Sequence, residues 1–357
     1  MSAEQRVKEI LSSVDVKVNG TNPWDIQVHN AHFYARVLSG GSLALGESYM
    51  DGWWDCEDIT ELIARLSRLQ DIPVDVESLV MVLTYRLFSG FGKHSKTATH
   101  YDLSNELYES FLDSYMQYSA GLFEDDDTLD SAQEKKLALV CKALDLQKGD
   151  SVLDIGAGWG GFAKYATEKY GCHVTGVTLS REQKNYADTM CAGLGTTFLV
   201  ADYQSVKGTF SKILVSEMLE HVGHVDYKKV AKKIYTVLAP EGKVFIQVTT
   251  GENRGRWGFD PWLHKYIFPY GAIPRTAQLV EAFSSLFSVT ELDASKMDYE
   301  KTLLAWATNF ERNWIFVRKG KFDERFYRMW KFYLLFCAGT FRGGINMTTQ
   351  MILVKNV

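Results

Sequence analysis

The most regular part of the chain alternates short apolar runs with amphipathic stretches. The runs SVLDIG, HVTGVT, TFLVA, KILVS and KVFIQVT are rich in β-branched residues, as expected for buried strands. Between them, stretches such as GFAKYATEKY and YKKVAKKIYTVL place apolar residues at helical spacing. Strands that alternate with helices in this way predict an α/β fold with a doubly wound, mostly parallel sheet.

The beginning of the chain has a different pattern. Residues 1–95 favour helices and turns, with the glycine-spaced aromatic segment GGSLALGESYMDGWWDCEDITELIARL in the middle and no candidate catalytic residue. Residues from 96 onward lead into the strand and helix alternation. We therefore predict a smaller helical N-terminal domain at 1–95 and an α/β domain at 96–357.

Composition narrows the class of protein. The 357 residues are 46% hydrophobic, enough for a sizeable core, and the net charge of −5 argues against nucleic acid as the main partner. The start MSAEQRVKEILSSV predicts an amphipathic helix rather than a signal peptide, and no apolar stretch approaches the roughly 18 residues of a membrane span. Five scattered cysteines form no C-x-x-C pair. We expect a cytoplasmic protein without a metal site.

The first predicted strand of the sheet ends in a glycine-rich segment, LDIGAGWGGF at residues 153–162. Gly156 and Gly158 allow a tight turn and a close approach of the backbone to a ligand. The same spacing occurs in dinucleotide-binding proteins, which carry an acidic residue for the ribose about 20 residues later. Here the second strand ends in GVTLSREQ, with Thr178 and Ser180. The pattern therefore counts against NAD.

Two aspartates indicate a different cofactor. Asp154 directly precedes the glycines, and Asp202 follows the third strand in the segment ADY. This layout is typical of a nucleoside cofactor without a pyrophosphate, namely S-adenosylmethionine. Asp154 either holds the methionine amino group or fixes the loop. Asp202 either accepts a hydrogen bond from the adenine amine or is a turn residue at the strand end.

A carboxylate also follows the fourth strand, in VSEMLEHVGHVDY at residues 215–227. Glu220 fits a helix start, because acidic side chains are favoured at helix N-termini and an amphipathic stretch follows. It equally fits an active-site base. The residues around it leave both interpretations open.

The chain resembles the cyclopropane fatty acid synthase family of S-adenosylmethionine-dependent lipid methyltransferases. The matching segments are HYDLSNELYESFLDSYMQYS, VLDIGAGWGGFAKYA, VTGVTLSREQ, SEMLEHVG, DPWLHKYIFPYGAIP and CAGTFRGG, and GESYMDGWW resembles the helical extension of the phospholipid-acting members. The resemblance implies a seven-stranded class I methyltransferase sheet. It also implies cyclopropanation of unsaturated acyl chains in membrane phospholipids.

The resemblance further implies roles for particular residues. Glu220 and Tyr333 are expected to flank the reacting carbon. Cofactor contacts are expected from Tyr118, Ser119, Gly156, Gly158, Thr178 and Gln183.

Members of this family are thought to hold bicarbonate as the base that removes a proton from the added methyl group. Two positions here depart from the family pattern, since Ala120 replaces a cysteine and Gln247 stands where a histidine is expected. A count from the other side would put Val248 there instead. Glutamine donates a hydrogen bond but carries no positive charge, so it binds an anion less well. The expected product is a cyclopropane. Methylene- or methyl-branched chains are the close alternative, N-methylation of a small amine is a lesser one, and a lipid-binding protein without activity is the non-enzymatic one.

A lipid substrate requires access to the bilayer. The N-terminal domain could provide a membrane or homodimer contact, and the segment RKGKFDERFYRMWKF at 318–332 mixes basic and aromatic residues. A half-buried helix with a solvated face is the simpler interpretation of that segment. We expect peripheral membrane association.

Overall fold

The computed structural model describes residues 1–69, 104–251, 260–269, 271–292, 298–319 and 321–356. The chain divides into two compact units. The first contains Met1–Phe91, Glu252–Pro269 and Leu303–Met347, and the second contains Gly92–Gly251, Tyr270–Thr302 and Thr348–Val357. The first unit thus includes two later segments that the predicted division at residue 95 does not. His100, in the segment HYDLSNELYES, lies outside the described residues.

The helices and strands follow the predicted alternation. The helices are α1 (Ala3–Ser12), α2 (Phe33–Met50), α3 (Ile59–Leu66), α4 (Asn105–Glu109), α5 (Leu129–Leu144), α6 (Gly161–Tyr170), α7 (Arg181–Met190), α8 (Tyr227–Val237), α9 (Pro261–Tyr266), α10 (Thr276–Phe283), α11 (Tyr299–Val317) and α12 (Glu324–Arg342). The strands are β1 (Gln27–Val28), β2 (Trp54–Asp55), β3 (Ser151–Ile155), β4 (His173–Thr178), β5 (Thr196–Val200), β6 (Phe210–Ser216), β7 (Leu238–Gly251), β8 (Phe287–Leu292) and β9 (Asn346–Lys355).

The second unit is organised by a seven-stranded sheet with the strand order β5-β4-β3-β6-β7-β9-β8. Strands β3 to β7 pair in parallel, and β8 pairs with β9 antiparallel. The chain runs from β3 outward to β5 and then returns to β6 on the other side of β3. The prediction of a doubly wound, mostly parallel sheet is therefore confirmed, and its switch point lies between β3 and β6.

Both faces of the central strands are buried, as their apolar runs predict. Leu153 and Ile213 lie in one core cluster with the apolar side of α8. Val152 and Leu214 lie in another, with residues of α5 and α6. Because neighbouring residues of a strand point to opposite faces, the two clusters are the two sides of the sheet.

Aromatic packing is prominent in the first unit. The Trp262 ring lies edge-on to Phe332, with ring centroids 4.8 Å apart. A Cβ added to Gly46 of α2 would lie 2.3 Å from Trp262 Cδ1, so only glycine lets this helix approach the indole so closely. Gly46 is thus required for helix packing in this segment.

Two glycines with the same backbone angle provide a test of sheet packing. Gly149 has φ +87° and Gly160 φ +88°, but a Cβ meets nothing within 4 Å at Gly149 and lies 2.8 Å from Ala187 Cβ at Gly160. We expect Gly149→Ala to lower the free energy of unfolding by about 1–2 kcal/mol, because alanine is disfavoured in the left-handed backbone conformation. Gly160→Ala should lower it by a further amount of about 1–3 kcal/mol, because the added methyl group overpacks the contact with Ala187. Urea unfolding measures both, and equal losses would contradict the packing at Gly160.

Candidate active site

The loop after β3 is the first part of the candidate site. The backbone N–H groups of Gly156 and Ala157 both donate to the carbonyl oxygen of Val177, at 2.9 and 3.0 Å, which fixes the loop against β4. Gly158 follows with φ +53°, and a Cβ there would meet no atom within 4 Å. The backbone at Gly158 therefore borders open space at the end of β3, where a parallel sheet binds its ligand.

The end of β4 provides a rigid polar pair. The Thr178 hydroxyl donates to Gln183 Oε1 at 2.7 Å, and both side chains are buried. Ser180 caps α7 by accepting a hydrogen bond from the Gln183 N–H at 3.2 Å. The cap and the strand end thus hold the Gln183 amide in one orientation.

Ser119 is held by α5. Lys136 Nζ donates to Ser119 Oγ at 2.9 Å and to Gln117 Oε1 at 2.5 Å, and Gln133 Nε2 donates to the Ser119 carbonyl oxygen at 2.8 Å. Lys136 is only 2% exposed, and burial lowers its pKa to about 8 even though the charge of Asp113 favours the protonated form. Sequence reasoning missed this lysine. Its signal is the i, i+3 pair of Gln133 and Lys136 on the otherwise apolar side of α5.

Tyr118 and Ala120 flank that serine. The Tyr118 ring is half-buried and packs edge-on against Tyr108, with centroids 5.4 Å apart. Ala120 is fully buried against Leu139 and Tyr299. These predicted site residues therefore share one segment with Ser119.

The two predicted aspartates lie in different environments. Asp154 is buried in β3, and burial raises the pKa of its carboxyl to about 7 against the opposing charge of Lys136. Asp202 is half-buried and accepts a hydrogen bond from the Gln204 N–H at 2.8 Å, at the start of a 3-10 turn. Its strand-end turn role is thus observed, and its adenine contact stays a prediction.

Glu220 lies in the 3-10 turn Leu219–His221, while α8 begins at Tyr227. Its Oε1 accepts a hydrogen bond from the Thr249 N–H at 2.6 Å. Its Oε2 is buried and accepts no hydrogen bond from the residues that the structure describes. The carboxyl group therefore belongs to the edge of the sheet rather than to the start of α8.

A second carboxylate, missed in the sequence, stands beside Glu220. Glu217 accepts hydrogen bonds from Gln247 Nε2 at 3.2 Å and from the Thr249 hydroxyl at 3.1 Å. Its φ is +48°, which is uncommon for a residue other than glycine. Burial, and then the charge of Glu217, raise the pKa of Glu220 well above its usual range.

The side-chain amide of Gln247 makes hydrogen bonds through both its nitrogen and its oxygen. Besides donating to Glu217, it accepts a hydrogen bond from Gln350 Nε2 at 2.8 Å. The alternative position, Val248, is fully buried in the apolar core. The polar contacts of the Gln247 side chain therefore agree with placing the expected histidine position at Gln247 rather than at Val248.

Tyr333 lies in the first unit, on α12. Its ring is buried and packs edge-on against Phe268 and Trp330, with centroids 5.6 and 5.4 Å away. The other predicted site residues belong to the second unit. The role of Tyr333 beside the reacting carbon stays a prediction.

These residues fit S-adenosylmethionine, which carries a positive sulfonium and an amino group. Asp154, Glu217 and Glu220 supply acidic groups at the switch point, and Gly158 leaves the space beside them open. Ser119 and the pair of Thr178 and Gln183 are fixed polar groups. Within the described ranges, no group of three His, Cys, Asp or Glu side chains is placed to hold a metal ion.

The sheet order and the glycine loop at its switch point define an S-adenosylmethionine-dependent methyltransferase of the class I fold. Residues 92–351 match the family model described as mycolic acid cyclopropane synthetase, and the chain belongs to that family.

Comparison with individual proteins agrees with this assignment. Over 355 residues the chain is 38% identical to the cyclopropane-fatty-acyl-phospholipid synthase of Escherichia coli (strain K12), covering 98% of this chain and 92% of that protein. Over 346 residues it is 30% identical to the tuberculostearic acid methyltransferase UfaA1 of Mycobacterium tuberculosis, covering 90% and 80%. The solved structure of the mycolic acid cyclopropane synthase CmaA1 with SAH and CTAB has a TM-score of 0.68 and 29% identity, covering 74% of this chain and 98% of that one.

The open space at Gly158 allows a direct test of cofactor binding. Gly158→Asp should abolish binding of S-adenosylmethionine, because a side chain and a negative charge enter the space left for the ligand. Gly193→Asp is the matched control, since Gly193 also has a positive φ (+83°) and no atom within 4 Å of an added Cβ. Calorimetric titration should show binding to the control only. Retained binding by Gly158→Asp would remove the loop from the site.

Proposed function

We propose that this enzyme transfers the methyl carbon of S-adenosylmethionine to the cis double bond of an unsaturated acyl chain in a membrane phospholipid and closes a cyclopropane ring. The observation that carries the proposal is Glu220 at the switch point, with one buried carboxyl oxygen that accepts no hydrogen bond from the described residues. The name of the Escherichia coli relative supports the same substrate and product.

The chemistry explains why such a site is needed. S-adenosylmethionine supplies an electrophilic methyl group, but an alkene is a weak nucleophile and must be closely aligned with it. The fixed groups Ser119, Thr178 and Gln183 are suited to hold the cofactor for that alignment. Methylation of the alkene leaves a positive charge on the acyl chain, and a carboxylate nearby stabilises that charge and directs the loss of a proton.

The residues of this chain fit bicarbonate poorly. Gln247 Nε2, the donor at the expected histidine position, is bound to Glu217. A bicarbonate ion beside Glu217 would add a second negative charge to the site, and like charges at close range repel. We therefore assign no step to bicarbonate.

The same residues favour one second candidate function. With Gln247 held between Glu217 and Gln350, the proton acceptor differs from that of the family pattern. A 1,2-hydride shift that moves the charge to the methylated carbon, followed by loss of a proton from the same added methyl group, gives an exocyclic methylene. Two-electron reduction of that methylene by a hydride-donating partner then gives a methyl branch. The relative UfaA1 is named as a methyltransferase of tuberculostearic acid. N-methylation of a small amine has no observation in its favour.

Identification of the lipid product tests the function. Purified enzyme is incubated with isotope-labelled S-adenosylmethionine and unsaturated phospholipid vesicles, and the lipid is examined by proton NMR. We expect upfield ring protons, whereas vinylidene protons would replace the cyclopropane assignment with the second candidate. Glu220→Gln should bind the cofactor normally but lose about 10² or more in turnover, because an amide cannot exchange a proton with the neighbouring Glu217. An equally active variant would remove Glu220 from the site.

We also propose that the protein is cytoplasmic and contacts the membrane through the exposed end of α11. Ile315 and Phe316 at the end of α11 are 62% and 66% exposed, and Arg318 and Lys319 follow them on the surface. Exposed apolar residues beside basic ones fit the interface of an anionic bilayer.

The segment 318–332 itself continues into α12, where Trp330 is buried, in agreement with the half-buried helix. Among the described residues, no helix is long and apolar enough to cross a membrane.

Vesicle binding tests this contact. Ile315→Ser should reduce co-sedimentation with phosphatidylglycerol vesicles several-fold, because the removed apolar surface no longer enters the bilayer interface. Val225→Ser is the matched control, since Val225 is also 62% exposed but lies in the second unit. Equal binding by the two variants would place the membrane contact elsewhere.

A further inference from the structure

We propose that Glu217 is the general base of this enzyme and that it takes the proton lost by the methylated acyl chain. The inference rests on the proposed function and adds to it the identity of the proton acceptor. In this assignment the protein's own carboxylate occupies the role that the family resemblance gives to bicarbonate.

The position of Glu217 is the first support. It directly follows β6, whose residue Val215 pairs with Ile155 of β3. A Cβ added to Gly156 would lie 3.3 Å from Met218 Cβ, so the backbone after Glu217 packs directly against the glycine loop. Glu217 is therefore at the point where the sheet places its ligand.

The hydrogen bonds of Glu217 are the second support. Each carboxyl oxygen accepts from one donor on β7, Oε1 from Gln247 Nε2 and Oε2 from the Thr249 hydroxyl. Donors of this kind stabilise a carboxylate in its charged form. Gln247 stands at the position expected to bind an anion in the site, and here it donates to a carboxylate of the chain itself.

The third support is the neighbouring carboxyl group. Glu220 has a buried oxygen that accepts no hydrogen bond from the described residues, which marks a place for a ligand group. Burial, the charge of Glu217 and a hydrogen bond between the two carboxyl groups raise the pKa of Glu220 well above its usual range. The charge of Lys136 also reaches Glu217.

The reaction balances with this base. Methyl transfer forms one C–C bond to the alkene and leaves a positive charge on the second alkene carbon, while the electron pair of the broken S–CH₃ bond stays on sulfur. Glu217 then removes one proton from the added methyl group. The electron pair of that C–H bond forms the second C–C bond and closes the ring. The proton leaves to water, and no oxidant or reductant is required.

Glu217→Gly is the most informative variant, because a φ of +48° suits glycine and the fold should be at least as stable as that of the wild type. Turnover should fall by about 10² or more, and added formate or bicarbonate should restore part of it by entering the vacated space. Glu217→Gln keeps the size of the side chain and should lose activity without rescue. Bicarbonate should not raise the wild-type rate.

A second measurement needs neither cofactor nor lipid. In wild-type protein, the infrared band of the protonated Glu220 carboxyl, identified by its absence in Glu220→Gln, should persist to higher pH than in Glu217→Gly. The reason is that Glu217→Gly removes the neighbouring charge that holds the proton on Glu220.

The outcomes separate the two proposals. Full activity of Glu217→Gly, an unchanged infrared titration, or a wild-type rate that depends on bicarbonate would each refute Glu217 as the base while leaving the lipid reaction in place. Failure of the wild-type enzyme to methylate any unsaturated lipid would refute the proposed function and the base together.

Discussion

Parallel pairing of β3 with β6 is the constraint on which the site depends. The helices that follow β3 and β6 pack on opposite faces of the sheet, so the carboxyl ends of these two neighbouring strands are left uncovered. The glycine loop after β3 and the two glutamates after β6 are close for that reason alone.

Burial of charged groups is the second organising feature. Lys136, Asp154 and Glu220 are all withdrawn from water, and burial displaces the pKa of each toward its neutral form. Groups of this kind are costly to a fold unless they have partners. Lys136 has them in Ser119 and Gln117, while one oxygen of Glu220 has none among the described residues. The fold therefore carries polar groups at this edge whose placement packing alone does not explain.

The sheet could be predicted from the sequence because each strand is a local run of β-branched residues. Each helix is likewise marked by apolar residues that repeat locally at helical spacing. Gly158 and Glu220 could be predicted because each lies in the short segment after such a run, where a parallel sheet binds its ligand. Lys136 could not, because its partner Ser119 is distant in sequence and an amphipathic helix normally exposes its lysines. Glu217 was missed because its backbone angle and its contact with Gln247 depend on the register of β6 and β7. The first unit gathers segments 1–91, 252–269 and 303–347, an association that no local pattern indicates.

The excess of acidic groups at the switch point also bears on the end of the catalytic cycle. S-adenosylmethionine arrives with a sulfonium charge, which a carboxylate such as Glu217 attracts in surroundings of low dielectric constant. The sulfur of the product S-adenosylhomocysteine is neutral, so this attraction disappears when the methyl group leaves. The site therefore discriminates between fresh and spent cofactor by charge, and methyl transfer itself weakens the hold on the molecule that must depart.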